Sequence, residues 1–92
     1  MPNTEHTAIL TADGQVKAGP GYVYWVLVSV VATGGAWELN DSTADGGTDM
    51  LSGVAAANTQ TFLDFSGFPI RFGTGIFADI PGSNITLTVG YA

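Results

Sequence analysis

The chain has no cysteine, a single histidine and, in 92 residues, only two basic side chains, Lys17 and Arg71. Without cysteine there is neither a disulfide framework nor a thiolate zinc site. Two cations set against eight acids leave a formal charge of −6. A fold that neutralises phosphates needs clustered Lys and Arg, so nucleic acid and anionic membrane surfaces are excluded as expected partners, and a positively charged protein patch suits the chain better. The opening residues, MPNTEHTAILTADG, lack the basic start and long apolar core of a secretory signal, and no apolar run reaches the length of a membrane span. A soluble chain made in cytoplasm is therefore expected. Charged residues of both signs amount to 11%, against roughly 25% in an ordinary soluble domain, while the apolar share of 46% is ordinary. The surface must then be built from Gly, Thr, Ser, Asn and Ala, which defends it poorly against association.

What is present in abundance is one long apolar run. Positions 22–32 read YVYWVLVSVVA, without a charge, with Gly21 just before it and Gly34-Gly35 one residue beyond it. Alternation along a strand puts Tyr22, Tyr24, Val26, Val28 and Val30 on one face and Val23, Trp25, Leu27 and Val31 on the other. Both faces favour a dry environment. A domain this small buries only about 60–65% of the surface of its unfolded chain, so its own core covers one face and the other calls for a neighbour.

Short periodic segments separated by turn residues fill the rest. Positions 7–12 and 15–18 flank Asp13-Gly14, which predicts a two-residue hairpin. Gly19-Pro20-Gly21 turns the chain into the long strand and Gly34-Gly35 ends it. A short strand over 36–40 sets Trp37 and Leu39 against Glu38; 41–49 is a polar loop; 50–57 reads as strand because Gly53 opposes a helix. Over 61–65, Thr61, Leu63 and Phe65 alternate with Phe62 and Asp64. Turns at 66–69, 73–75 and 81–83 separate extended segments over 70–72 and 76–80, and after them Ile85, Leu87, Val89 and Tyr91 share one face of a half-buried final strand. The pattern predicts an all-β fold, an antiparallel β-sandwich or jelly-roll-like domain of seven to eight short strands. Residues 1–18 form an N-terminal arm with the first hairpin, and 19–92 the sandwich, within one domain.

Few residues suggest chemistry. His6 lies in the polar N-terminal stretch, where a triad would have to recruit it from a mobile arm. Ser52 and Ser66 precede glycines but lack the flanking pattern of a nucleophile elbow. Asp64 and Asp79 fall near Arg71, and one of them is expected to pair with it rather than serve as acid or base. The loop with Asp41, Asp45 and Asp49 has the spacing of a calcium loop at its first, fifth and ninth positions, but Thr43 stands at the third and Ser52 where a bidentate Glu belongs. A hairpin loop whose Asp side chains bond their own backbone accounts for it better. Tyr22, Tyr24, Trp25 and Trp37 would serve as a sugar-stacking platform or, more simply, as sandwich filler. No cofactor and no enzymatic activity are expected.

The order of GPG, long apolar strand, GG, a short aromatic strand running from Trp37 to Thr43 as Trp-Glu-Leu-Asn-Asp-Ser-Thr, a Gly-rich gap, FPIRFGTGIFADIPG and a closing alternating strand resembles small virion proteins of tailed bacteriophages. The resemblance runs from Gly19 to Ala92 and is carried mostly by turn chemistry. It implies a β-sandwich virion subunit, a decoration or cement protein on the outer capsid surface with the major capsid protein as partner, and no catalytic residues. The physical argument adds homo-oligomers, with trimers suited to local threefold positions of the shell. Tyr22, Tyr24, Trp25 and Leu27 are the expected packing and interface anchors, and Arg71 is expected to fix a carboxylate. A tail or head-tail subunit, such as an adaptor or fibre module, and a carbohydrate-binding module are the alternatives.

Overall fold

The computed structural model describes residues 6–44, 46–80 and 84–92. The fold is all-β, with nine strands among the described residues rather than seven or eight: β1 (His6–Leu10), β2 (Gly14–Lys17), β3 (Gly21–Val30), β4 (Gly35–Asp41), β5 (Thr48–Ala55), β6 (Gln60–Asp64), β7 (Ile70–Phe72), β8 (Ile76–Asp79) and β9 (Ile85–Tyr91). They form two antiparallel sheets. One runs β1-β9-β3-β6, with β7 also pairing β3; the other runs β2-β8-β4-β5. The short extended segment expected over 70–72 is a strand of its own, β7, and pairs with the start of β3.

Asp13-Gly14 is not a hairpin. Strands β1 and β2 do not pair with each other; β1 joins β9 in one sheet and β2 joins β8 in the other. The connection crosses from sheet to sheet, and the Asp13 carboxylate anchors it by accepting the Ile80 N–H at 2.7 Å. Of the expected N-terminal arm, residues 1–5 lie outside the described residues, whereas His6 and Thr7 sit within β1.

The expected faces of the long strand are also corrected. Register against β9 shifts between Val23 and Trp25, so a bulge at Tyr24 adds one residue and inverts the alternation beyond it. Val23, Val26, Val28 and Val30 all point inward, buried, while Tyr22, Trp25, Leu27 and Ser29 point outward. Tyr22 and Tyr24 therefore do not share the face of Val26, Val28 and Val30. Inward residues of β9 meet β3 directly: Val89 opposite Val26, Leu87 opposite Val28 and Ile85 opposite Val30. From the second sheet Trp37, Leu39, Ile76 and Ala78 complete the core, joined by Phe72. Each fully buried Val, Leu or Ile contributes about 1.5–3 kcal/mol, and alternation in β4, β8 and β9 delivers them without further correction.

The crossing from β7 back to β8 is held by Asp41 at the end of β4. Its carboxylate accepts the backbone N–H groups of Gly73, Thr74 and Gly75 at 3.1, 2.6 and 3.3 Å. Gly75 is packed against the backbone at Ser42 and Lys17, where a Cβ would come within 2.7 Å of the Ser42 carbonyl oxygen. A bare turn is thus required at the point where the two sheets exchange the chain.

Candidate functional site: the outer face of the five-stranded sheet

Directly paired residues share a face of a sheet, so the registers assemble the outer surface of the first sheet row by row. Ile9, Thr88, Leu27 and Phe62 lie side by side across β1, β9, β3 and β6. In the next row Thr7, Gly90, Trp25 and Asp64 align, and in the one beyond Leu27 come Thr86, Ser29 and Gln60. On the other side of the bulge Tyr22 faces Arg71 across β3 and β7. Trp25 lies across Gly90, where a Cβ would run into the indole, and its ring meets that of Phe62 with centroids 5.9 Å apart. Ile9 is 69% exposed and Phe62 57%. A band of aliphatic and aromatic side chains therefore crosses the sheet from edge to edge on its solvent side.

Charge on this face is confined to its margin. The Asp64 carboxyl is held below its usual range by the Ser66 hydroxyl and by the Ser66 N–H, which donates to it at 2.9 Å. Arg71 stands exposed beside Tyr22 at the opposite end of the face. The Arg71 charge acts on Asp41, whose carboxyl is lowered first by the Thr74 N–H, then by Gly73 and Gly75, and last by Arg71.

Of the expected anchors, Tyr22, Trp25, Leu27 and Arg71 come together on this face, while Tyr24 sits half-buried at the bulge and gives its carbonyl to the Phe65 N–H at 2.6 Å. The four-aromatic platform does not form, because Trp37 is 3% exposed in the core. Ile9, Phe62 and Thr88 belong to the face but were not among the expected anchors. The alternation that sets Phe62 apart from Leu63 was the available signal for one of them.

The second sheet presents a different outer surface. Glu38 lies opposite Asp79 on β8 and Ser52 on β5. The Glu38 carboxyl is raised above its ordinary range, first by partial desolvation and then by the charges and hydrogen bonds of Asp49 and Asp79. Asp41 and Asp49, two of the loop acids with calcium-loop spacing, are thus engaged in different places, one with the Gly73–Gly75 backbone and one beside Glu38. Asp45 lies outside the described residues. Among the described residues no group of three or more His, Asp or Glu side chains is arranged to hold a metal ion. His6 lies in β1 with its ring 5.5 Å from that of Tyr91.

Between the edges of β5 and β6 the sandwich opens into a cleft of about 230 Å³, lined by Val28, Trp37, Gly53, Ala55, Thr61 and Leu63 among others. Its walls are mainly apolar and, among the described residues, carry no titratable group. Among the described residues no helix is long and apolar enough to cross a membrane. Comparison with protein-family models, with curated proteins and with solved structures finds no match for this chain.

Proposed function

We propose that this chain is a structural subunit of a tailed-bacteriophage virion, a decoration or cement protein that docks on the major capsid protein through the outer face of its five-stranded sheet. The observation that carries this reading is the apolar band of Ile9, Leu27, Trp25 and Phe62 on the solvent side of a sheet whose other side already covers the core. Exposed apolar area of that kind marks an interaction surface, and a rigid sheet binds with little loss of conformational freedom. The opposite outer surface, with Glu38, Asp49 and Asp79, is acidic and suited to face water. The sequence resemblance to small virion proteins supplies the biological setting. Self-association accompanies docking in this reading, with a trimer fitting a threefold position of the shell.

The test is to mix purified protein with capsids of the phage that encodes it and to image the particles. Density for the subunit on the outer shell is expected, and Leu27→Glu and Phe62→Glu should each abolish it while leaving the fold intact by circular dichroism. Absence of the wild-type protein from the particle, or undiminished binding by both variants, overturns the reading. Density at the neck or tail would favour the adaptor or fibre alternative. The half-exposed Trp25 against exposed Phe62, with Asp64 and Gln60 nearby, keeps a carbohydrate-binding module in second place; quenching of tryptophan fluorescence by a glycan series would favour it.

A further inference from the structure

Strand β5 is the last strand of its sheet, bonded to β4 on one side and, among the described residues, to no strand on the other. Natural edges are guarded by Lys, Pro, bulges or shortness. Over its eight residues, TDMLSGVA, β5 carries no Lys, Arg or Pro and one charge, Asp49. Its single guard is the bulge near Met50, opposite the step from Leu39 to Asn40; from Leu51 to Ala55 pairing with β4 is regular. On the outer face Met50 is 38% and Val54 85% exposed, two residues to either side of Ser52.

That spacing is self-complementary. We infer that the free edge of β5 pairs antiparallel with the same strand of a second copy, about a two-fold axis at Ser52. In this register Met50 meets the second copy's Val54, and Val54 the second copy's Met50, so each exposed apolar side chain gains an apolar cross-strand neighbour. Asp49, which the bulge at Met50 leaves on the outer face beside Glu38, lies beyond the end of this ladder, so the two acids stay apart. Even pairing keeps faces matched: the inner residues Leu51 and Gly53 meet each other, the four-stranded sheets merge into one of eight, and the two clefts lined by Trp37 and Leu63 lie side by side beneath the seam. A partner of another sequence would use one half of this symmetric edge; a second copy uses both. Being two-fold, the contact is separate from the threefold association of the reading above, and it requires no virion.

Strand pairing alone is at the small end of interfaces, so a dissociation constant on the order of 10–100 μM is expected, tighter at higher salt because each copy carries −6. Sedimentation of the purified chain should show a monomer–dimer equilibrium that Val54→Glu weakens about tenfold or more, with unchanged thermal unfolding as the control for folding. Because the chain is free of cysteine, Ser52→Cys is a clean probe: it should oxidise to a covalent dimer about tenfold or more faster than Thr11→Cys at the far edge, the effective-concentration gain of a preformed contact. A strict monomer, a trimer insensitive to Val54→Glu, or equal oxidation of the two cysteine variants overturns the inference. A β5 dimer that binds no capsid sinks the virion reading and leaves this contact standing; capsid binding by a chain that is monomeric in solution does the reverse.

Discussion

The two tryptophans occupy equivalent seats in the two sheets, Trp37 on the inner side of one and Trp25 on the outer side of the other. Trp37 on β4 lies over Gly53 of β5, where a Cβ would come within 2.9 Å of the indole, and is 3% exposed in the core. Trp25 on β3 lies over Gly90 of β9 in the same manner, half-buried and facing out. The device is identical: a large planar side chain settled on the one residue of the neighbouring strand without a side chain. What differs is the side of the sheet. For Trp37, simple alternation decides it; for Trp25, the bulge at Tyr24 does, because without that extra residue Trp25 would share the inward face of Val23. An indole on a glycine is thus core or contact surface according to a single inserted residue, and that insertion is what sets Trp25 and Leu27, rather than Val26 and Val28, on the exterior of the five-stranded sheet.

The contrast breaks most visibly at Trp37. Trp37→Ala should cost about 3–5 kcal/mol, a large part of the 5–15 kcal/mol typical of a whole domain, and should be read as a collapse of the urea midpoint; Trp25→Ala, which empties no core, should lose clearly less. The glycines sharpen the comparison. Gly53→Ala pushes a methyl into a buried indole and should cost about 1–3 kcal/mol, whereas Gly90→Ala should cost less, because Trp25 can lift into solvent, with a red shift of its fluorescence as the accompanying signal.

Smaller effects come from the charged groups of the second sheet. Asp41 has its folded pKa lowered by the Thr74, Gly73 and Gly75 N–H groups, so its stabilising share is present above the unfolded value and is lost as pH falls through the folded one. Asp41→Asn should lower the melting temperature at neutral pH, and the gap from wild type should close in acid. Glu38 has the opposite sign. Its folded pKa is raised, by partial desolvation and then by Asp49 and Asp79, so stability present below the unfolded value is lost as pH rises through the raised one. Glu38→Gln should therefore raise the melting temperature at neutral pH and make no difference below the ordinary carboxylate range.

Much of the architecture could be read from short-range pattern. The strands β4, β6 and β9 follow their alternation, and the all-β class follows from turn residues recurring between brief apolar runs. What escaped depends on partners remote in the chain. The bulge at Tyr24 exists in register with β9, and no local property of YVYWV announces it. Asp13-Gly14 has hairpin chemistry, yet its flanking strands go to different sheets, a choice made by β9 and β8 rather than by the turn. Asp41 resembles a cation ligand among its neighbours, but its partners are three N–H groups of another loop. Of the apolar outer face, Tyr22, Trp25, Leu27 and Arg71 were legible as a group; Ile9 and Thr88 were not, because their place beside Leu27 depends on how β1 and β9 dock.

The central position of β3 has a consequence for biosynthesis. Its three partners, β6, β7 and β9, are all downstream in the chain. A ribosome therefore delivers the greasiest ten residues of the molecule early and leaves the edge that pairs β9 open until nearly everything else has emerged. During that interval the nascent polypeptide is at its stickiest, and the wait ends only when translation reaches Ile85 and beyond. The rate of elongation and the supply of holding chaperones should then govern yield more than the strength of the finished fold.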